Sequence, residues 1–203
     1  MIYKDLSDSA KECAYKNFQE YHGGEGFDFQ VEAILEDFRD LIETKGIYEP
    51  VFGYSGFHSQ GDGACFTGNI NLKDFLEAHI LIREAHPELY IAVIPFDGEE
   101  PACRYYDINL TNQSNGSHYR HEYTVHLGTW DFEVTGAGWG GGKDNQYYEK
   151  LFVDAEKDIE ETCRAYMRQL YRTLEEEYTY SSSKESFLEQ VEHQDFNEKG
   201  ELI

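Results

Sequence analysis

Phe52-Gly-Tyr-Ser-Gly-Phe-His-Ser-Gln-Gly-Asp-Gly-Ala-Cys-Phe-Thr-Gly68 reads as two short strands joined by a glycine-rich turn, and the rest of the chain is organised around it. Val51, Tyr54 and Phe57 bring bulk before the turn and Ala64 and Phe66 after it, while Gly56, Gly61, Gly63 and Gly68 permit positive φ or close backbone approach. A Gly-Asp-Gly turn suits a hairpin. A hairpin alone does not need Ser55, His58, Ser59, Gln60 and Asp62 together, so two readings stand side by side. In one, these polar groups satisfy the loop's own backbone. In the other, they form a recognition site on a rigid scaffold.

Upstream of the hairpin the pattern is helical. Asp5-Leu-Ser-Asp-Ser-Ala10 opens a helix with Ser7 as N-cap and an apolar stripe of Leu6, Ala10, Cys13, Ala14, Phe18 and Tyr21. Gly23-Gly24 ends it. In a second helix Val31, Ile34, Leu35, Phe38, Leu41 and Ile42 recur at helical spacing, with Gly46 as its stop. Downstream, Asn71 caps a helix predicted to run to about His86, before Pro87. His79 on that helix reads as a core or boundary residue.

The remaining strands follow. Tyr90-Ile-Ala-Val-Ile-Pro-Phe96 is short, apolar and β-branched, which predicts a strand buried on both faces. Cys103 to Leu110 and His118 to Leu127 are predicted to pair as a hairpin across a connection containing Asn-Gly. Trp130, Phe132 and Val134 alternate with Asp131 and Glu133 as another strand. Gly136-Ala-Gly-Trp-Gly-Gly-Gly-Lys143 lacks phosphate-loop spacing and reads as a loop. The longest helix is predicted over Asn145 to Tyr178, with Tyr148, Phe152, Ala155, Ile159, Cys163, Tyr166, Leu170 and Leu174 on one face. Ser181-Ser-Ser183 breaks it, and Glu185 can complete a capping box for a shorter helix through Val191. The pattern predicts a single α+β domain over residues 1–203. In it, an antiparallel sheet of about five strands packs against N-terminal helices and a long C-terminal helix.

Composition narrows the function classes. The chain has 203 residues, 40 acidic against 17 basic, for a net charge of −23. Such a field argues against direct nucleic-acid binding, which needs cations to displace counterions from phosphates, and attracts basic partners. No apolar run of membrane-spanning length and no export signal are read, so a soluble, cytoplasmic protein is expected. Cys13, Cys65, Cys103 and Cys163 are scattered without a Cys-x-x-Cys pair, which predicts free thiols and neither a zinc ribbon nor a disulfide framework.

The segment His118-Tyr-Arg120-His121-Glu122-Tyr123 invites a metal reading. On a strand, however, His121 and Glu122 point to opposite faces, and His118, Glu122 and His126 stand roughly 13 Å apart per step. Three ligands from this strand cannot meet one ion. The candidate ligand-binding set is therefore Ser55, Phe57, His58, Ser59, Gln60 and Asp62 from the hairpin with His118, Arg120, His121 and Glu122 from the later strand. Neither a cofactor nor a catalytic set of nucleophile, base and orienter can be read.

The chain resembles a family of bacteriophage and prophage proteins commonly labelled as antitoxins of toxin–antitoxin stability systems. The likeness is carried by Asp5-Leu-Ser-Asp-Ser-Ala-Lys-Glu12, Ser55-Gly-Phe-His-Ser-Gln-Gly-Asp-Gly-Ala-Cys-Phe66, His118-Tyr-Arg-His-Glu-Tyr-Thr-Val125, Ser186-Phe-Leu-Glu-Gln-Val-Glu192 and Asn197-Glu-Lys-Gly-Glu-Leu202. The resemblance implies an accessory protein of the bacterial host cytoplasm. Its expected action is to neutralise a toxin or an anti-phage defence factor through the acidic surface, with a basic bacterial protein as partner. The alternative is a binding protein for a small nucleotide signal between the hairpin loop and the His118 strand. A hydrolase using Asp62 or His121 as base is a third reading.

Overall fold

The structure is a computed structural model and describes residues 1–22, 25–95, 100–113, 120–135 and 143–203. In chain order its elements begin with α1 (Asp8–His22), α2 (Glu25–Glu43), β1 (Ile47–Ser55) and β2 (Gly63–Ile70). Then come α3 (Leu72–Ala78), α4 (Ile80–Ala85), α5 (Pro87–Val93), β3 (Cys103–Tyr106) and β4 (Ile108–Asn112). A 3₁₀ turn (Glu122–Thr124), β5 (Val125–Leu127), β6 (Asp131–Val134), α6 (Asn145–Ser181) and α7 (Lys184–Val191) complete them. The fold is α+β, as the periodicities predict. No helix among the described residues is long and apolar enough to cross a membrane.

The chain divides into two compact units, residues 1–36 with 172–203 and residues 37–171; α2 and α6 each contribute to both. In the first unit, Leu6, Ala10 and Ala14 of the α1 segment form a core with Phe187, Val191 and Phe196. The Ser7 hydroxyl accepts from the Ala10 N–H, the cap expected there. Ser183 caps α7 by accepting from the Ser186 N–H, which puts Glu185 one position short of the predicted capping-box place. The C-terminal tail folds back as a hook. Phe196 bridges Leu202, Asp195 bridges Ile2, and Gly200 takes φ +84°.

In the second unit, β1 and β2 form the predicted antiparallel hairpin, and the sheet continues in the order β1-β2-β4-β5. The antiparallel pairing of β4 with β5 matches the expected hairpin of the two later strands. Gly46 stops α2 with φ +78°, and Asn71 caps α3 by accepting from the Asp74 N–H. The buried stripe of α6 is the expected one with a single exchange. Met167 is wholly buried, whereas Tyr166 is half-buried and bonds His79.

Four expectations are corrected. Tyr90 to Val93 belongs to α5, not to a strand. Pro87 stands at its first position with φ preset for a helix, and Leu89, Ala92 and Val93 are buried while Ile91 is exposed, which is a helical repeat. The helix predicted from Asn71 to His86 is two, broken at His79, whose φ of −117° and ψ of 83° are not helical. The Cys103–Leu110 strand is also two. Asp107, at φ +53°, turns the chain out of the β3–β6 ribbon and into the four-stranded sheet, so the expected sheet of about five strands is divided. Finally, 122–124 is a 3₁₀ turn and β5 begins only at Val125, which cancels the strand alternation assigned to residues 121–124. The glycine-rich stretch 136–142, the connection 114–117, and His118 with Tyr119 lie outside the described residues.

Candidate functional site

The hairpin end and the segment that starts at Arg120 meet, as the sequence suggested. A side-chain carbon placed on Gly53 would stand 3.0 Å from Arg120 Cδ, and one on Gly63 would stand 2.9 Å from His121 Cδ2 and 3.1 Å from the Arg120 carbonyl. Only glycine lets the later segment lie this close to the strands. Arg120 and His121 therefore cover the hairpin near its turn.

Within the loop, Asp62 Oδ2 accepts the backbone N–H groups of His58 and Ser59 at 2.8 and 2.6 Å. The Asp62 N–H bonds the Ser59 carbonyl, and Gly61 takes φ +100°. One oxygen of Asp62 thus holds the loop closed through its own main chain, the kind of Asx closure that a short carboxylate favours. His58, Ser59 and Gln60 are exposed. Phe57 stacks with Tyr54 at 6.1 Å between ring centroids and with Tyr171 at 5.8 Å. Ser55 Oγ is shielded from solvent with no hydrogen-bond partner among the described residues.

His121 and Glu122 come together, contrary to the strand reading. His121 Nδ1 stands 2.7 Å from Glu122 Oε2, because the chain turns with a three-residue repeat here and neighbouring side chains do not alternate across a sheet. Glu122 is only 7% exposed, and a buried carboxylate requires such partners. Arg168 of α6 reaches its other oxygen at 4.0 Å and bonds Glu161 at 2.7 Å. Beside this pair, Glu160 accepts the Leu127 N–H at 2.9 Å and the Arg164 guanidinium at 2.8 Å; Arg164 also donates to the Val125 carbonyl at 3.3 Å. β5 lies at the edge of the sheet, and these α6 side chains occupy backbone groups that an open edge would expose.

Ser55, Phe57, Asp62, Arg120, His121 and Glu122 thus fall in one neighbourhood, with His58, Ser59 and Gln60 at its exposed rim. Sequence reasoning missed Glu160, Arg164, Arg168 and Tyr171. Their signal was legible: Glu160 and Arg164 are four apart on a predicted helix, the spacing of a helical ion pair. It went unused because the helix was read only for its apolar stripe.

The four cysteines are free, with Cys65, Cys103 and Cys163 buried. Burial pushes the Cys65 thiol up, against an opposing bond from the Asn112 amide at 3.5 Å and the nearby Arg120 charge. A thiol held in its neutral form is a poor nucleophile. Among the described residues, no three His, Cys, Asp or Glu side chains are grouped as a metal site.

No curated protein and no solved structure matches the chain. A family model does match, over residues 30–184, which contain the hairpin, Arg120 to Glu122 and all of α6, and its description is Domain of unknown function (DUF8835). The chain therefore belongs to the DUF8835 family.

Proposed function

We propose that this is a binding protein that neutralises a basic bacterial protein, a toxin or an anti-phage defence factor, through its acidic surface. The observation that carries the reading is uncompensated charge. The net charge is −23, and in the second unit Asp37, Asp40, Glu84, Glu149 and Asp154 are exposed, with none of them in an ion pair among the described residues. Exposed carboxylates without partners create a field that speeds encounter with a cationic face and excludes nucleic acid.

The reading predicts a salt-sensitive complex. Tagged protein should retain a bacterial partner from lysate at about 50 mM salt and release it near 0.5 M, where the screening length falls to a few ångströms. Combined Asp37→Asn, Asp40→Asn, Glu149→Gln and Asp154→Asn substitution should weaken the complex at low salt as well. Expression of the parent chain should relieve the partner's toxicity or its block on phage growth, and the substituted chain should not. Retention indifferent to salt, or a partner whose activity is unchanged, sinks the proposal.

A second reading, a small-ligand site for a nucleotide signal at the hairpin end, is favoured by one observation. Ser55 Oγ is shielded from solvent with no hydrogen-bond partner among the described residues, on the strand where Arg120 approaches Gly53. Arg120→Ala and Ser55→Ala should then abolish any melting shift produced by a panel of cyclic and linear nucleotides. No shift with the parent chain removes this reading.

A further inference from the structure

The first unit contains a cavity of about 540 Å³, lined by parts of α1, α2, α7 and the C-terminal hook. That volume lies in the range of small-molecule sites. Its walls combine aromatic rings, among them Phe18, Tyr21 and Phe29, with the side-chain amides of Asn17, Gln30, Gln190 and Gln194. Tyr21 and Phe29 are 57% and 77% exposed, large apolar surfaces left in water at the border of the cavity.

Two polar atoms of the lining are unsatisfied. His22 Nδ1 and Gln30 Oε1 are both shielded from solvent, and neither has a hydrogen-bond partner among the described residues. A buried polar group without a partner costs free energy, so the pair marks a place for a molecule that supplies hydrogen bonds.

The charges of the walls narrow the class. Among the described residues no lysine or arginine lines the cavity, and burial holds the His22 imidazole below its ordinary pKa, so it is neutral near pH 7. Glu201, a carboxylate of the lining, accepts from the Asn197 amide at 2.7 Å. A phosphate or carboxylate would find no cation here. A flat heterocycle is better suited, because side-chain amides match the donor and acceptor pattern of a purine edge and aromatic rings stack on its face. We propose that this cavity binds a purine base or nucleoside lacking phosphate, with Gln30 Oε1 accepting from a ring or exocyclic N–H and His22 Nδ1 taking a second hydrogen bond.

The test uses the full chain, with adenosine, guanosine, their 5′-monophosphates and indole as probes in calorimetry and thermal melting. One or both nucleosides should bind and raise the melting temperature, at least about tenfold more tightly than the monophosphates or indole. Gln30→Leu removes the acceptor at nearly constant shape and should lower affinity about tenfold. Asn17→Trp fills the cavity from an exposed position and should abolish binding, while circular dichroism and the ligand-free melting temperature stay those of the parent. No binding by any probe would leave the cavity to water and overturn the proposal. Monophosphates binding as well as nucleosides, indole binding as well as purines, or full affinity in Asn17→Trp would each overturn it too.

Discussion

The hairpin end of the second unit and the cavity of the first are opposites. The hairpin end announces itself in sequence, with Ser55, His58, Ser59, Gln60 and Asp62 crowded among glycines. In space part of that polarity is spent on the chain itself: Asp62 accepts from the His58 and Ser59 backbone N–H groups, and Glu122 pairs with His121. The cavity has no such signature. Its residues come from three helices and the tail and are not gathered in one stretch, yet it presents two buried polar atoms without partners among the described residues. Density of polar residues in a sequence thus measures how much hydrogen bonding a segment must manage. A ligand site depends on what is left over after the segment has bonded to itself.

The contrast can be broken most sharply at the hook that closes the cavity. A Cβ on Gly200 would stand 2.1 Å from the Ala10 carbonyl oxygen, on a residue already at φ +84°. Gly200→Ala should destabilise the first unit by about 3 kcal/mol, seen as an earlier urea midpoint. A midpoint equal to the parent's would mean the hook does not close the cavity.

Next is the ion pair at the hairpin end. Glu122→Ala removes the buried member of the group and leaves His121 and Arg168, both partly exposed, without their shared carboxylate, and should cost about 1–2 kcal/mol. Glu122→Gln should recover part of that loss. Equal stability of all three proteins would make the pair a surface accident.

Smaller again is the loop closure. Asp62→Ala leaves two amides to exposed water and should cost about 1 kcal/mol, with faster proteolysis between residues 56 and 62. Asp62→Asn keeps an acceptor and should behave like the parent. A large loss of partner or ligand binding in Asp62→Asn, with the loop still closed, would show that the carboxylate does more than hold its own backbone.

The smallest effect sharpens the comparison through protons. Burial lowers the pKa of His22 in the first unit and of His79 in the second below the ordinary 6.5. The folded chain then binds fewer protons than the unfolded one, so stability is complete above about pH 6.5 and falls as the pH drops through that value. In the neutral form that burial favours, His79 Nδ1–H donates to the Phe75 carbonyl at 2.6 Å and Nε2 accepts from the Tyr166 hydroxyl at 2.9 Å. Melting temperature should fall by roughly 1–3 °C between pH 7 and pH 5.5, and His79→Gln should flatten that slope. A melting temperature that rises on acidification would reverse the sign and refute the assignment.

How much was legible follows from the range of each interaction. The helices at residues 8–22, 25–43 and 145–181 and the 47–70 hairpin were readable because their apolar repeats are local and long, and because Gly46, Asn71 and the serines after the long helix mark ends by chemistry within a few residues. The strand reading of Tyr90 to Phe96 failed over Tyr90 to Val93 for lack of length, since a seven-residue apolar run fits a buried strand and a buried helix equally. Pro87 was read as a stop when it was a start. The candidate site divided in the same way. Its members were visible as residue types, but the partners contributed by α6, Arg168 and Tyr171, lie more than forty positions from His121 and more than a hundred from Phe57.

By itself the sequence determined the α+β composition, the hairpin at the centre, the acidic field and the free thiols. These depend on repeat, composition and turn chemistry, which are properties of neighbours along the chain. Only the tertiary structure decided that His121 and Glu122 join and that Arg120 lies on Gly53. It also decided that Asp107 sends its strand into another sheet, and that His22 Nδ1 and Gln30 Oε1, in the lining of a cavity, have no partner among the described residues. Each of these turns on which distant groups exclude water from one another, and burial of that kind is created by packing alone.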